Sequence, residues 1–138
     1  MQNRDHSQWK EGDSLPPLTK GPITREDLKK YADASGDTNP IHLDEAFAKA
    51  AGFPSVIVHG MLAMAYLADY VRYVFPEDRF EVTRIAGRFR KVLFPGDELV
   101  TGGQVKKVES NQILTISLWA KNQKGELTTD GEVDVRLR

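Results

Sequence analysis

The sequence predicts an α+β fold in which an antiparallel sheet wraps around one long helix. Three observations carry that expectation. Helix signals are confined to the first half of the 138 residues. One of these helices, Met61 to Phe75, is apolar all round in its first turns and must be covered on nearly every side. After Pro76 the apolar period changes to two and stays there to Leu137.

Taken in order, Met1 to Lys10 reads as a loose arm. Trp9 to Leu18, punctuated by Gly12-Asp13 and Pro16-Pro17, could form an edge strand, where proline is tolerated. Thr24 opens a helix, and Asp27 three residues later completes an approximate capping box. Arg25–Ser35 places Leu28, Tyr31 and Ala32 on one stripe, and Gly36 stops it. Pro40 makes Asp37 to His42 a tight irregular loop. Asp44 caps a short helix over Glu45–Ala51, closed by Gly52. Val56-Ile57-Val58 runs buried and extended, and His59-Gly60 turns into the long helix. Fifteen helical residues span roughly 22 Å, the width of a small sheet. Four meandering strands follow: a long one from Phe80 that ends in Arg88, Arg90 and Lys91 ahead of Pro95-Gly96-Asp97, then Leu99 to Val108, Ile113 to Trp119 and Leu127 to Leu137, with a hairpin turn at Asn122 to Gly125. Trp119, Met61 and Met64 are expected in the core. This is the hot-dog arrangement, as a single domain over 1–138. Its open edge and face predict a dimer.

Composition removes several function classes. Lys+Arg is 19 and Asp+Glu is 20, a net charge of −1, which argues against nucleic acid as the main partner. There is no cysteine, so disulfides, thiolate metal sites and cysteine nucleophiles are excluded. The longest apolar run, Met61 to Ala68, is far short of the ~20 residues of a membrane span. The first twenty residues lack the apolar core of a signal peptide. A cytoplasmic protein without membrane partners is expected.

Three histidines are available: His6, His42 and His59. His6 falls in the arm. His42 stands five residues after Asp37 across the loop that Pro40 bends, so both side chains can point at one locus. A carboxylate beside an imidazole is a general acid–base pair. Asp37 and Asn39 are also ordinary turn residues, and the residues alone leave both readings open. Gly60 starts the long helix, where an unpaired N–H at the positive end of the dipole can hold an oxyanion. It could equally just permit a turn, with His59 packing or capping. Arg88, Arg90 and Lys91 form the local basic cluster, suited to phosphates or simply to a solvated strand face. No third ligand sits at useful spacing from His42 and Asp44, so no metal is expected.

The run Tyr31-Ala-Asp-Ala-Ser-Gly-Asp-Thr-Asn-Pro-Ile-His-Leu-Asp44, then Phe47-Ala and Val58-His-Gly-Met-Leu62, resembles the MaoC-like dehydratase family, which includes the (R)-specific enoyl-CoA hydratases. Arg88-Phe89 and Phe94-Pro95-Gly96-Asp97 extend the likeness, which covers roughly residues 15 to 138. The resemblance implies a hot-dog homodimer that hydrates trans-2-enoyl thioesters, with Asp37 and His42 as the catalytic pair and the Gly60 N–H on the thioester carbonyl. Substrate contacts are expected from Asn39, His59, Arg88, Arg90 and Lys91. No cofactor is expected, because coenzyme A or acyl carrier protein is part of the substrate. One departure stands out: some (R)-hydratases carry a serine in the central helix where this chain has Ala68. Two rivals remain at this point. A hot-dog thioesterase would carry its acid on or near the helix, where Asp69 is a weak equivalent. A dehydratase subunit or acyl-binding module would need a partner chain.

Overall fold

The computed structural model describes residues 9–109 and 112–138. His6 and most of the expected arm lie outside the described residues. The elements are β1 (Leu18–Lys20), α1 (Arg25–Ser35), α2 (Glu45–Ala50), α3 (Gly60–Val74), β2 (Phe80–Phe89), β3 (Leu99–Val108), β4 (Ile113–Lys121) and β5 (Leu127–Leu137). The five strands form one antiparallel sheet in the order β1-β3-β4-β5-β2.

Two expectations about strands are corrected. The segment from Trp9 lies along the edge of β3 but is not one continuous strand. Ser14 bridges Gln104, with the Gly12 N–H on the Val105 carbonyl at 2.8 Å and the Leu15 N–H on the Gly103 carbonyl at 2.9 Å. Pro16 and Pro17 have no N–H to donate, and the ladder resumes at Leu18, opposite Thr101. The Trp9 and Leu15 side chains are buried in the core. Nor is the sheet a simple meander. β3, β4 and β5 follow one another, but β1 occupies the free edge of β3. β2 therefore pairs with β5, from Phe80 opposite Leu137 to Phe89 opposite Thr129, with a register shift between Val82 and Arg84. The chain from Arg90 to Glu98 crosses the end of the sheet to connect β2 with β3.

The helix α1 starts as its residues dictate. Thr24 accepts from the Asp27 N–H at 3.0 Å, and the Asp27 carboxylate accepts from the Thr24 N–H at 2.9 Å. Helix α3 presents Leu62, Ala63, Tyr66, Leu67, Tyr70, Val71 and Val74 as one buried stripe. Burial of a side chain such as Leu67 contributes ~1.5–3 kcal/mol, so this stripe ties the helix firmly to the sheet. Tyr70 adds a hydrogen bond, its hydroxyl donating to the Pro16 carbonyl at 2.7 Å. Met61 lies off the stripe and is 62% exposed, contrary to its expected place in the core. Met64 is half-buried. Trp119 is half-buried too, on the sheet face where Gly102 leaves room for its indole.

Asp134 on β5 joins three strands. Arg84 on β2 donates to it from Nε at 2.8 Å and from Nη2 at 3.3 Å, and the Thr115 hydroxyl on β4 donates at 2.8 Å. The Arg84 hydrogen bond, reinforced by Thr115 and opposed by partial burial, holds the Asp134 carboxyl below its ordinary value. Asp134→Asn should cost about 1 kcal/mol near neutral pH, the size of a typical hydrogen bond. A carboxyl whose folded pKa is depressed stabilises above its unfolded pKa of ~3.9, and that contribution is lost as pH falls through the folded value. Urea denaturation should therefore show the gap between variant and wild type closing in acid. A gap independent of pH would contradict the role.

Candidate active site

The loop after α1 is shaped by its own side chains. Gly36 takes the left-handed conformation, φ 79°, and its N–H closes α1 on the Ala32 carbonyl at 2.9 Å. Ser35 donates to the Tyr31 carbonyl at 2.7 Å and accepts from the Asp37 N–H at 3.1 Å. Asn39 caps the single 3₁₀ turn Pro40–His42, its amide oxygen accepting from the Ile41 N–H at 3.0 Å. That turn swings His42 back toward Asp37.

The His42 Nδ1 lies 2.8 Å from the Ile57 carbonyl. A carbonyl accepts, so Nδ1 carries the proton and Nε2 presents a lone pair. Nε2 is 3.9 Å from Asp37 Oδ2, too far for a direct hydrogen bond and a span that one water can bridge. Both atoms are acceptors, so such a water donates both its protons and keeps its oxygen lone pairs outward. The His42 side chain is 11% exposed and that of Asp37 49%.

A pocket of about 290 Å³ opens beside His42. Its lining includes Val58, Gly60, Ala63, Phe89, Arg90 and Leu93. Gly60 is the first residue of α3, and the N-cap residue His59 gives the helix no side-chain cap. The first intrahelical bonds come from the Leu62 and Ala63 N–H groups, both to the His59 carbonyl at 3.1 Å. The Gly60 N–H therefore stands at the positive end of a fifteen-residue helix, on a pocket wall it shares with His42. A Cβ at position 60 would lie 3.2 Å from the Phe89 ring, so glycine lets that ring close over the helix mouth.

The remaining expected site residues separate. Arg90 and Lys91 reach the same pocket, Arg90 paired with Asp130 at 3.1 Å and Lys91 with Glu126. Arg88 does not line that pocket. Strand alternation turns Phe89 toward Gly60 and Arg88 to the opposite face, in a second hollow with Lys106 and Glu132 that Arg90 also lines. Asn39 shapes the loop and is not among the residues lining the pocket. His59 has no exposed surface, so it stands behind His42 and cannot be a substrate contact. Ala68, two turns beyond Gly60, is half-buried and offers no polar group. Ala63 and Phe89 were not singled out as site residues from the sequence. Ala63 could have been found by its i, i+3 spacing from Gly60.

Asp37, His42 and His59 hold potential ligand atoms within 4.8 Å of one another. The fold thus supplies a third group that spacing along the chain did not reveal. Yet one nitrogen of each ring is committed to a carbonyl, and the rings stack at 3.8 Å with an angle of 24°. Nearly parallel rings do not aim their remaining lone pairs at one ion, so this donor set does not suit a tetrahedral metal.

An antiparallel sheet around a long helix, with the His42 imidazole on the pocket wall that also carries the first residue of that helix, defines a hot-dog protein. The chain belongs to the MaoC-like domain family, whose model matches residues 10–126. It is 31% identical over 112 residues to the (R)-specific enoyl-CoA hydratase of Aeromonas caviae, covering 80% of this chain and 84% of that one. It is 43% identical over 68 residues to the peroxisomal enoyl-CoA hydratase 2 of Arabidopsis thaliana, which covers 49% of this chain and only 22% of that longer protein. Among solved structures, the unliganded (R)-hydratase PhaJ1 of Pseudomonas aeruginosa superposes with a TM-score of 0.87 at 28% identity, over 96% of this chain and 84% of that one.

Proposed function

We propose that this chain is a hydro-lyase that reversibly hydrates trans-2-enoyl thioesters to (R)-3-hydroxyacyl thioesters. The observation that carries the reading is the 3.9 Å gap between Asp37 Oδ2 and His42 Nε2, beside a pocket walled by Gly60. The names of the relatives support the same reaction class.

The chemistry follows from these parts. Water held by Asp37 and His42 attacks C3 and gives up a proton to the pair. The C2–C3 π electrons move into the thioester, whose oxygen gains enolate charge. The Gly60 N–H meets that charge, and one such donor is typically worth ~3–4 kcal/mol. The enolate then collapses and C2 takes the proton back from the pair. Hydroxyl and proton come from one locus, so addition is syn. The reverse sequence dehydrates the 3-hydroxyacyl thioester. The carrier, coenzyme A or acyl carrier protein, enters as part of the substrate, with Arg90 and Lys91 near the pocket as the available cations. No step calls for a metal or a separate cofactor.

The thioesterase alternative loses support from Asp69. That carboxylate is exposed, paired with Arg72 at 2.5 Å, and lies about 13 Å along α3 from Gly60. A homodimer is part of the proposal. β2 is a ten-residue edge strand with exposed Val82, Ile85 and Phe89, the kind of edge that a second copy covers. Among the described residues no helix is long and apolar enough to cross a membrane.

Asp37→Asn and His42→Ala should each lower kcat on crotonyl-CoA by ~10²–10⁴ with the fold retained. Near-wild-type hydration by either folded variant would remove that residue from the mechanism, and thiol release from a saturated acyl-CoA would favour the thioesterase. Gly60→Pro keeps a helix-compatible first residue but deletes the N–H, so kcat should fall ~10²–10³. Turnover that survives in folded protein would dismiss the oxyanion role. Light scattering during size exclusion should give twice the 15.5 kDa chain mass, and an active species of single-chain mass would refute the dimer.

A further inference from the structure

His59 is the one fully buried histidine among the described residues, and the acid–base steps above do not use it. It occupies the N-cap position of α3, where a polar side chain ordinarily turns onto the first N–H groups of its helix. This ring turns away from the helix. Its Nε2 lies 3.1 Å from the main-chain carbonyl of Asp37, and because a carbonyl accepts, Nε2 carries the proton. Nδ1 is buried and has no partner. Burial drives the imidazole below its ordinary pKa, with His42 pushing the same way and the Asp37 carbonyl resisting, so the ring is neutral. One face stacks on His42 at 3.8 Å, and Tyr31 abuts it with centroids 4.8 Å apart at 61°.

Two unrelated contacts of one buried ring thus converge on the two halves of the acid–base pair. The Asp37 main chain is pinned at both ends, its N–H on Ser35 and its carbonyl on His59. His42 is held in plane by the Ile57 carbonyl and backed by the His59 ring. We propose that His59 is a positioning residue: its Nε2–H and its ring set the separation and orientation of Asp37 and His42. It touches no substrate and acts only through that pair. This inference rests on the hydratase reading.

The test uses the wild-type chain, His59→Phe and His59→Gln on crotonyl-CoA, each checked for folding by circular dichroism. Phenylalanine keeps a stacking ring and loses the donor, whereas glutamine returns an N–H without a ring. His59→Phe should lower kcat ~10–100-fold, the cost of a misplaced group, with KM within ~2-fold. His59→Gln should recover at least ~3-fold of that loss. An unchanged kcat in folded His59→Phe, a change confined to KM, or no recovery in His59→Gln would each overturn the proposal. Nitrogen NMR of the wild-type chain supplies a readout that needs no turnover: His59 should be neutral and protonated on Nε2, and a proton on Nδ1 would overturn it. A wild-type chain that binds but never hydrates the substrate sinks the hydratase reading and leaves His59 to be judged by the NMR alone.

Discussion

The site depends on the way three residues ahead of α3 hold the loop that follows α1. Ile57 uses both of its main-chain groups on that loop: its N–H donates to the Ile41 carbonyl at 3.1 Å and its own carbonyl takes the His42 Nδ1–H at 2.8 Å. His59 takes the Asp37 carbonyl, and Val58 between them donates to the Leu93 carbonyl at 2.9 Å. A loop with only one 3₁₀ turn of its own cannot hold two side chains in fixed relation. These bonds fasten it to the segment that launches the most buried helix of the fold. Asp37 and His42 are therefore fastened to the core while remaining partly open to water.

The same segment explains why His42 and the Gly60 N–H share a pocket. The chain passes from Ile57, which orients His42, to the Gly60 N–H in three residues. Nothing but local chain geometry is needed to keep them close. The burial of Leu67, Tyr70 and Val71 further along α3 fixes the helix axis, and so fixes where its positive end points. The Phe89 ring lies against Gly60 while more than half of it stays exposed, so the mouth of the helix remains open to the pocket.

Much of this was legible in the sequence, and the limits have physical reasons. The Thr24–Asp27 cap, the Gly36 stop and the alternation of β5 are local signals, and they place the elements within a residue or two. Alternation specifies the face of a strand but not its neighbour, so β2 beside β5 could not be read. The stripe of α3 could be read, whereas the exposure of Met61 depends on how far the sheet reaches over the helix mouth. At the site, Asp37, His42 and Gly60 were accessible because a bent loop and a helix start are written in Pro40 and Gly60. The burial of His59 was not, since His-Gly gives the chemistry of a side chain and not its direction. Arg88 was separable from the helix mouth: strand alternation opposes it to Phe89, and the aromatic residue faces the helix.

The stretch joining β2 to β3 does two jobs. It carries the chain across the end of the sheet, and through Val92 and Leu93 it forms one side of the pocket. Its two ends are tied down, the Arg90 and Lys91 N–H groups on the Thr128 carbonyl at 2.8 and 3.2 Å and the Gly96 N–H on the Ile23 carbonyl at 2.6 Å, and the Leu93 carbonyl holds its middle. Lengthening or trimming this bridge between anchors would resize the pocket beside His42 while every ladder bond, Asp37 and His42 stay where they are. Descendants of such a scaffold can diverge in the tails they accept without re-inventing either their architecture or their reaction.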